Sequence, residues 1–212
     1  MSATTTFIDT LRNAYYHAPP ELKPKIKERM KQALATSFND DIDAKVDRWL
    51  EPPSMGRIDV TNTKFTPMLM ESLMNFVYGF YYSTISSCGI TAERLCMDIL
   101  LRRRIVLDER TLSSTDLKPL FAIPHVRLVD LLSCWNIIND ESRKKLLRIN
   151  DIRNKYVHPD VIPDLESGTG KKELKKDALE ILSLLKNVLS KSFPYVNDFQ
   201  TPADLDLKKL GI

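Results

Sequence analysis

The chain is short of glycine and of the residues that make covalent staples and metal sites. Its 212 residues include six glycines, three cysteines and three histidines. So little glycine, beside long stretches rich in Leu, Lys, Glu and Arg, favours helices over a turn-rich β fold. Cys88, Cys96 and Cys134 are odd in number, form no Cys-x-x-Cys and have no histidine at a metal-ligand spacing. That argues against a disulfide framework or a zinc module, and points to reduced, mostly buried thiols in an intracellular, cytoplasmic protein. His17 and His125 each stand beside or near proline in turn regions without a ligand set, so neither suggests a metal. Met1 to Thr6 lacks the basic start and following apolar run of a signal peptide. The nearest thing to a membrane span, Phe76 to Ile90, is broken by Ser83, Thr84, Ser86, Ser87 and Gly89. It falls short of the ~20 apolar residues a span needs, so a core helix and no membrane contact are expected. Gly-x-Ser-x-Gly and His-Glu-x-x-His are both absent. Gly168-Thr169-Gly170-Lys171-Lys172 lacks the spacing and the preceding strand of a phosphate loop. No cofactor and no metal are implied.

What is present fits an ordinary globular protein. Hydrophobic residues at 43% and charged residues at 28% allow a working core, and the length suits one domain with a small extension. A net charge of +3 permits contact with nucleic acid without indicating it, so partners must be argued from local patches. Three short helical patterns open the chain, at about Thr6 to His17, Pro20 to Thr36, and after Asn39 or Asp40 to Leu50. Pro52, Pro53 and Gly56 then break it. Arg57 to Phe65, rich in threonine with Ile58 and Val60, suggests one short strand. Thr66-Pro67 starts the main helical region. Met68 to Arg104 reads as two helices or one bent helix, with Gly89 as the hinge and Thr91 as a cap. A loop is expected from Val106 to Pro124. A helix follows from His125 to Ile138, with Val126, Leu128, Leu131, Leu132 and Trp135 on one side. Asn139 or Asp140 caps the next, about Glu141 to Val157, which Pro159 and Pro163 stop. After a loop at Ser167 to Lys172, Lys172 to Ser192 carries Leu174, Ala178, Ile181, Leu184, Leu185 and Val188 at helical spacing. The expected plan is all-α: residues 1–65 a helical N-terminal extension and linker, 66–193 an antiparallel helical bundle, and 194–212 a loosely attached tail.

The chemistry concentrates between Arg148 and Pro159. At about 100° per residue, Leu146, Ile149, Ile152 and Tyr156 share a face that must be buried. Asn150, Asn154 and His158 form a second stripe, and Arg153 lies between the two. Two amides, a guanidinium and an imidazole thus gather at the border of the core. Pro159 disfavours the α conformation at His158 and places it just off the helix end, where unwinding can turn the imidazole toward Arg153. A simpler reading of the same residues is that a basic side chain and a histidine cap a helix C-terminus.

Arg153-Asn154-Lys155-Tyr156-Val157-His158 resembles the motif of HEPN domains: Arg, a polar residue, three more residues, then His. The order of elements is also similar. In that family the motif ends a late helix and is followed by a loop and a closing helix, as here around Gly168 and over Lys172 to Ser192. Gly89-Ile90-Thr91-Ala92-Glu93-Arg94-Leu95 resembles the long early helix. The resemblance covers roughly residues 66–193. It implies a homodimer in which two motifs meet at one cleft and cut RNA without a metal. The ribose 2′-hydroxyl attacks the adjacent phosphate, and the 5′-oxygen leaves. His158 then serves as general acid or base, Arg153 stabilises charge on the phosphate, and Asn154 orients His158 or holds a phosphate oxygen. Family analogy suggests a toxin or phage-defence setting, with an antitoxin or regulatory protein as a possible partner. Some family toxins carry a modifiable Tyr two residues after the His; Asp160 stands there instead. Many HEPN domains are non-catalytic modules that bind a protein or RNA, and that is the alternative.

Supporting roles are expected for Asn150 and for Glu93, which could pair with and position Arg153 or instead form an ion pair with Arg94, Arg102 or another exposed base. Lys155, Lys171 and Lys172 are candidates for RNA-phosphate contact. The clusters Arg102-Arg103-Arg104 and Arg143-Lys144-Lys145, taken singly, read as solvated helix faces. Trp135, Tyr78, Tyr81 and Tyr82 read as core or dimer interface.

Overall fold

A computed structural model of the chain describes residues 14–39, 41–52, 58–102, 105–107, 110–111, 122–157, 168–193 and 199–200. Helix α1 is described over residues 14–17. There follow α2 (Lys23–Asn39), α3 (Ile42–Leu50), a 3₁₀ turn (Val60–Phe65), α4 (Thr66–Val77) and α5 (Tyr81–Leu101). Strands β1 (Ile105–Leu107) and β2 (Arg110–Thr111) precede α6 (His125–Cys134), α7 (Asp140–Val157), α8 (Gly168–Leu189) and β3 (Phe199–Gln200). The fold is all-α. The strands form a small ribbon in the order β2-β1-β3, antiparallel between β1 and β2 and parallel between β1 and β3.

Two compact units divide the chain, Met1–Asp47 and Arg48–Ile212. The first holds α2, whose first turn contains Pro24 where proline costs no hydrogen bond. The second holds the core. Its central element is α5, which packs against α4, α6, α7 and α8. The hydroxyl-rich sequence of α5 is compatible with burial because its polar atoms are satisfied locally. Thr84 donates to the Phe80 carbonyl at 3.1 Å and Thr91 to the Ser87 carbonyl at 2.7 Å. Ser72 of α4 donates to Ser87 at 2.9 Å. Burial pushes the Cys88 thiol up to about 12 and raises Cys96 as well, so both are inert core side chains; Cys134 is exposed.

The break between α4 and α5 is at Gly79, not at Gly89. Gly79 has φ +80°. Its N–H donates to the Phe76 carbonyl at 2.9 Å, and Phe80 N–H donates to Asn75 at 2.8 Å, the paired bonds of a Schellman end. Gly89 lies inside an unbroken helix. The expected His125–Ile138 helix stops at Cys134 for a related reason. Asn136, at φ 53°, takes the left-handed position, with Asn136 N–H on Ser133 and Ile137 N–H on Leu132. Its buried face carries Val129 rather than Val126, which is exposed. Asn139 caps α7, accepting from Ser142 N–H at 2.9 Å.

The stretch expected as a strand near Val60 is a 3₁₀ turn. Asp59 accepts from Thr61 N–H at 2.9 Å and from its hydroxyl at 2.6 Å, which favours turning over extension. Asn62 is fully buried. Its amide donates to the carbonyls of Leu189 at 3.0 Å and Lys191 at 2.8 Å, and Asp59 N–H also donates to Leu189. These bonds satisfy the orphan carbonyls at the end of α8 and fasten residues 58–65 to the second unit. The unit boundary therefore precedes them, rather than following residue 65. Replacing Asn62 with alanine should lower stability by about 2 kcal/mol, since two hydrogen bonds are lost and the Lys191 carbonyl loses this donor, while Leu189 keeps Asp59 N–H. Asn62→Asp should cost more, because a carboxylate would face the two carbonyls with nothing to donate. Urea unfolding of the three proteins checks both the sign and the order.

The loop expected from Val106 to Pro124 holds β2 and most of β1, and the tail expected to be loosely attached contributes β3. Helix α8 starts at Gly168, so Lys171 and Lys172 are its fourth and fifth residues and not in a loop. No helix among the described residues is long and apolar enough to cross a membrane.

Candidate functional site

The apolar face of α7 is as the spacing requires: Leu146, Ile149, Ile152 and Tyr156 are all buried. Arg153 is thereby set at the edge of the core, its side chain 28% exposed. It crosses α5 at Gly89. A Cβ placed on Gly89 would lie 2.5 Å from Arg153 Cδ, 3.0 Å from Cγ and 3.3 Å from Cβ. The aliphatic stem of the arginine therefore runs over bare backbone. One turn further along the same face of α5 is Glu93, whose Oε2 lies 3.4 Å from Arg153 Nη1. Gly89 and Glu93 together form a socket: one gives the stem room, the other holds the guanidinium.

His125 opens α6 and is buried, with neither ring nitrogen hydrogen-bonded. Burial drives its pKa below the ordinary 6.5, and the charge of Arg153 pushes the same way. The Leu146 carbonyl and Glu93 oppose this; the carbonyl is near enough to favour a proton but out of hydrogen-bonding geometry. His125, beside Pro124 at the start of α6, feels the charges of both members of the Glu93–Arg153 pair. Because the folded chain takes up this proton at lower pH than the unfolded chain, the unfolded chain binds more protons just below pH 6.5. Stability is therefore complete above that pH and falls as pH drops through the window, by at most about 1.4 kcal/mol per pH unit for one proton. Urea unfolding from pH 7.5 to 5.5 should show this slope, and His125→Leu should flatten it.

At the end of α7, Lys155 and Tyr156 are tied to α8. Lys155 Nζ lies 2.7 Å from both Glu173 and Asp177, and the Tyr156 hydroxyl donates to Asp177 at 2.7 Å. Burial alone would lower the lysine, but the two carboxylates outweigh it and raise its pKa. Burial and the Asp177 bond push Tyr156 up to about 12. Burial works against the Asp177 charge, yet Lys155 and Tyr156 leave its pKa lowered. Asp177 was missed in sequence, although an acid between Leu174 and Ala178 on an apolar face was the available signal.

The structure thus brings Arg153 and Glu93 together and places Asn154 half-buried beside them in sequence, with Asn150 buried one turn earlier. Lys155 is already held by two carboxylates. Lys171 and Lys172 are exposed. His158 lies outside the described residues, as do Arg103, Arg104, Pro159 and Asp160. The other basic clusters are mostly paired: Arg102 with Asp98, Arg143 with Asp130 at 2.7 Å, Lys145 with Glu141 at 2.6 Å and Arg148 with Glu180 at 2.6 Å. Among the described residues no group of three or more His, Cys, Asp or Glu is placed to hold a metal ion.

Beside Glu93 a cleft of about 300 Å³ opens between α5 and α6, lined by Ile90, Glu93, Arg94, Met97, Ile123 and Leu128. No family model, no curated protein and no solved structure matches this chain.

Proposed function

We propose that the chain is a metal-independent endoribonuclease of HEPN type, acting as a homodimer in the cytoplasm. The observation that carries the reading is the socket for Arg153. A helix interior spends a glycine, and the next turn spends an acid, to fix one guanidinium five residues before a histidine. A guanidinium offers a phosphate two parallel donors and stays charged throughout the reaction. A histidine is suited to moving a proton near neutral pH.

In the proposed reaction His158 takes the proton from the ribose 2′-hydroxyl, whose oxygen attacks the adjacent phosphorus. The bond from phosphorus to the 5′-oxygen breaks, and that oxygen receives a proton from a second acid, the His158 of the other copy. Arg153 neutralises the charge that builds on the non-bridging oxygens. The products are a 2′,3′-cyclic phosphate and a 5′-hydroxyl. The proposed setting is a toxin or phage-defence system, where an antitoxin or regulatory protein would hold such a nuclease in check. The decisive assay is incubation of the purified chain with RNA and with DNA of the same sequence in EDTA. Cyclic phosphate ends on RNA and an uncut DNA strand are expected; intact RNA at all enzyme concentrations ends the reading.

A second reading, a non-catalytic HEPN module that binds a protein or RNA, draws on the pairing at the motif itself. Arg153 and Lys155 already face Glu93, Glu173 and Asp177, which suits a helix end locked in place as a scaffold.

A further inference from the structure

The cleft beside Glu93 has a composition that selects among nucleobases. Ile90, Glu93, Arg94 and Met97 fall at successive turns of one face of α5, and Ile123 and Leu128 face them. Four apolar side chains thus flank one carboxylate. At about 300 Å³ the space is at the small end of ligand sites, suited to a single flat ring system. Arg94 is exposed on the rim and makes no hydrogen bond or ion pair among the described residues. The carboxylate is shared: Glu93 lines the cleft and also holds Arg153.

We propose that this cleft binds guanine, with Glu93 as the residue that reads the base. A carboxylate only accepts hydrogen bonds, and its two oxygens lie side by side. Guanine presents two adjacent in-plane donors, N1–H and N2–H, that match them. Adenine and cytosine each set one amino donor beside a ring-nitrogen acceptor, which would face the second oxygen with a lone pair. Uracil has one N–H between two carbonyls. Apolar walls receive the faces of any base, so discrimination falls to the carboxylate. Each carboxylate oxygen has two acceptor sites, so guanine can bind Glu93 while Arg153 Nη1 stays on Oε2, and Arg94 on the rim is a contact for the phosphate of the bound nucleotide. The proposal rests on the ribonuclease reading for its biological ligand, but base recognition can be measured without catalysis.

The experiment is titration of the full-length chain with 5′-GMP, 5′-IMP, 5′-AMP and 5′-CMP, read by calorimetry. GMP should bind about tenfold or more tightly than AMP and CMP, as a bidentate contact permits, with IMP between because it lacks the N2 amino group. Glu93→Gln should remove the preference for GMP over IMP. Ile90→Trp, which fills the cleft from an exposed position, should abolish binding of all four with the unfolding midpoint unchanged. Equal affinity for the four nucleotides, or a GMP preference that survives Glu93→Gln, overturns the proposal. RNA cleavage without GMP binding overturns it and leaves the nuclease standing. Selective GMP binding by a chain that cuts no RNA keeps the pocket and removes the nuclease.

Discussion

Arg153→Ala and His158→Ala are each expected to slow RNA cleavage by about a thousandfold, the scale of losing a transition-state charge clamp or a general acid–base group. Neither change should unfold the chain. The Arg153–Glu93 pair is partly exposed and long at 3.4 Å, and such pairs contribute little to stability. Arg153→Lys is the sharper probe. It keeps the stem over Gly89 and the positive charge but loses the planar fork, so it should remain well below wild type if two parallel donors to phosphate matter. The double variant should be no worse than the more damaged single one, because the two groups serve one step. Single-turnover cleavage of a defined RNA in EDTA, with circular dichroism as the folding control, compares the four variants with wild type. Wild-type rates in His158→Ala would remove the catalytic assignment. If only Arg153→Ala lowers RNA affinity, and the chain cuts nothing, the binding-module reading stands instead.

Interactions were legible in the sequence according to their range. Helix faces were legible because burial follows a local period: Leu146, Ile149, Ile152 and Tyr156 point inward in α7, as do Leu174, Ala178, Ile181, Leu185 and Val188 in α8. The Glu93–Arg153 contact was only half legible. An acid among Gly89, Ala92 and Cys96 needs a partner, but Arg94 and Arg102 were on offer as well as Arg153, and the packing of α7 on α5 selects Arg153. The misplaced elements share a non-local cause. Threonines near Val60 suggest an extended chain, but Asn62 is drawn in by carbonyls some 127 residues away. The β1–β3 pairing joins Ile105 to Phe199, which no window of sequence contains. His125 and Asp177 were overlooked because each is a polar residue on a buried face, and only the packed structure shows what surrounds it. Gly89 and Gly79 show the limit most clearly. Both lie in one apolar stretch, and glycine at either position weakens a helix enough to hinge it. One satisfies a positive φ, the other a close approach by a second helix, and composition does not separate these uses.

Alanine at each of these two glycines should therefore have a different consequence. Gly89→Ala would improve helix propensity in α5 by about 1 kcal/mol were the site free. It is not free: the new methyl would sit 2.5 Å from Arg153 Cδ and 3.3 Å from its Cβ. The distal stem can rotate away, but the Cβ moves only with the backbone of α7, so overpacking offsets the gain and leaves the chain about 1 kcal/mol less stable. The larger consequence is chemical. Arg153 leaves the socket, its guanidinium swings off Glu93, and the group aimed at the phosphate is displaced by an ångström or more. Misplacement on that scale costs about a hundredfold in rate. Gly79→Ala supplies the contrast. It strains a left-handed turn at the end of α4, and should therefore lower stability while leaving the rate per folded molecule unchanged. Measuring unfolding free energy and cleavage rate in both variants separates a glycine that lets the chain turn from one that lets an arginine lie down. A Gly89→Ala protein with full activity would show that the socket does not position Arg153 for chemistry.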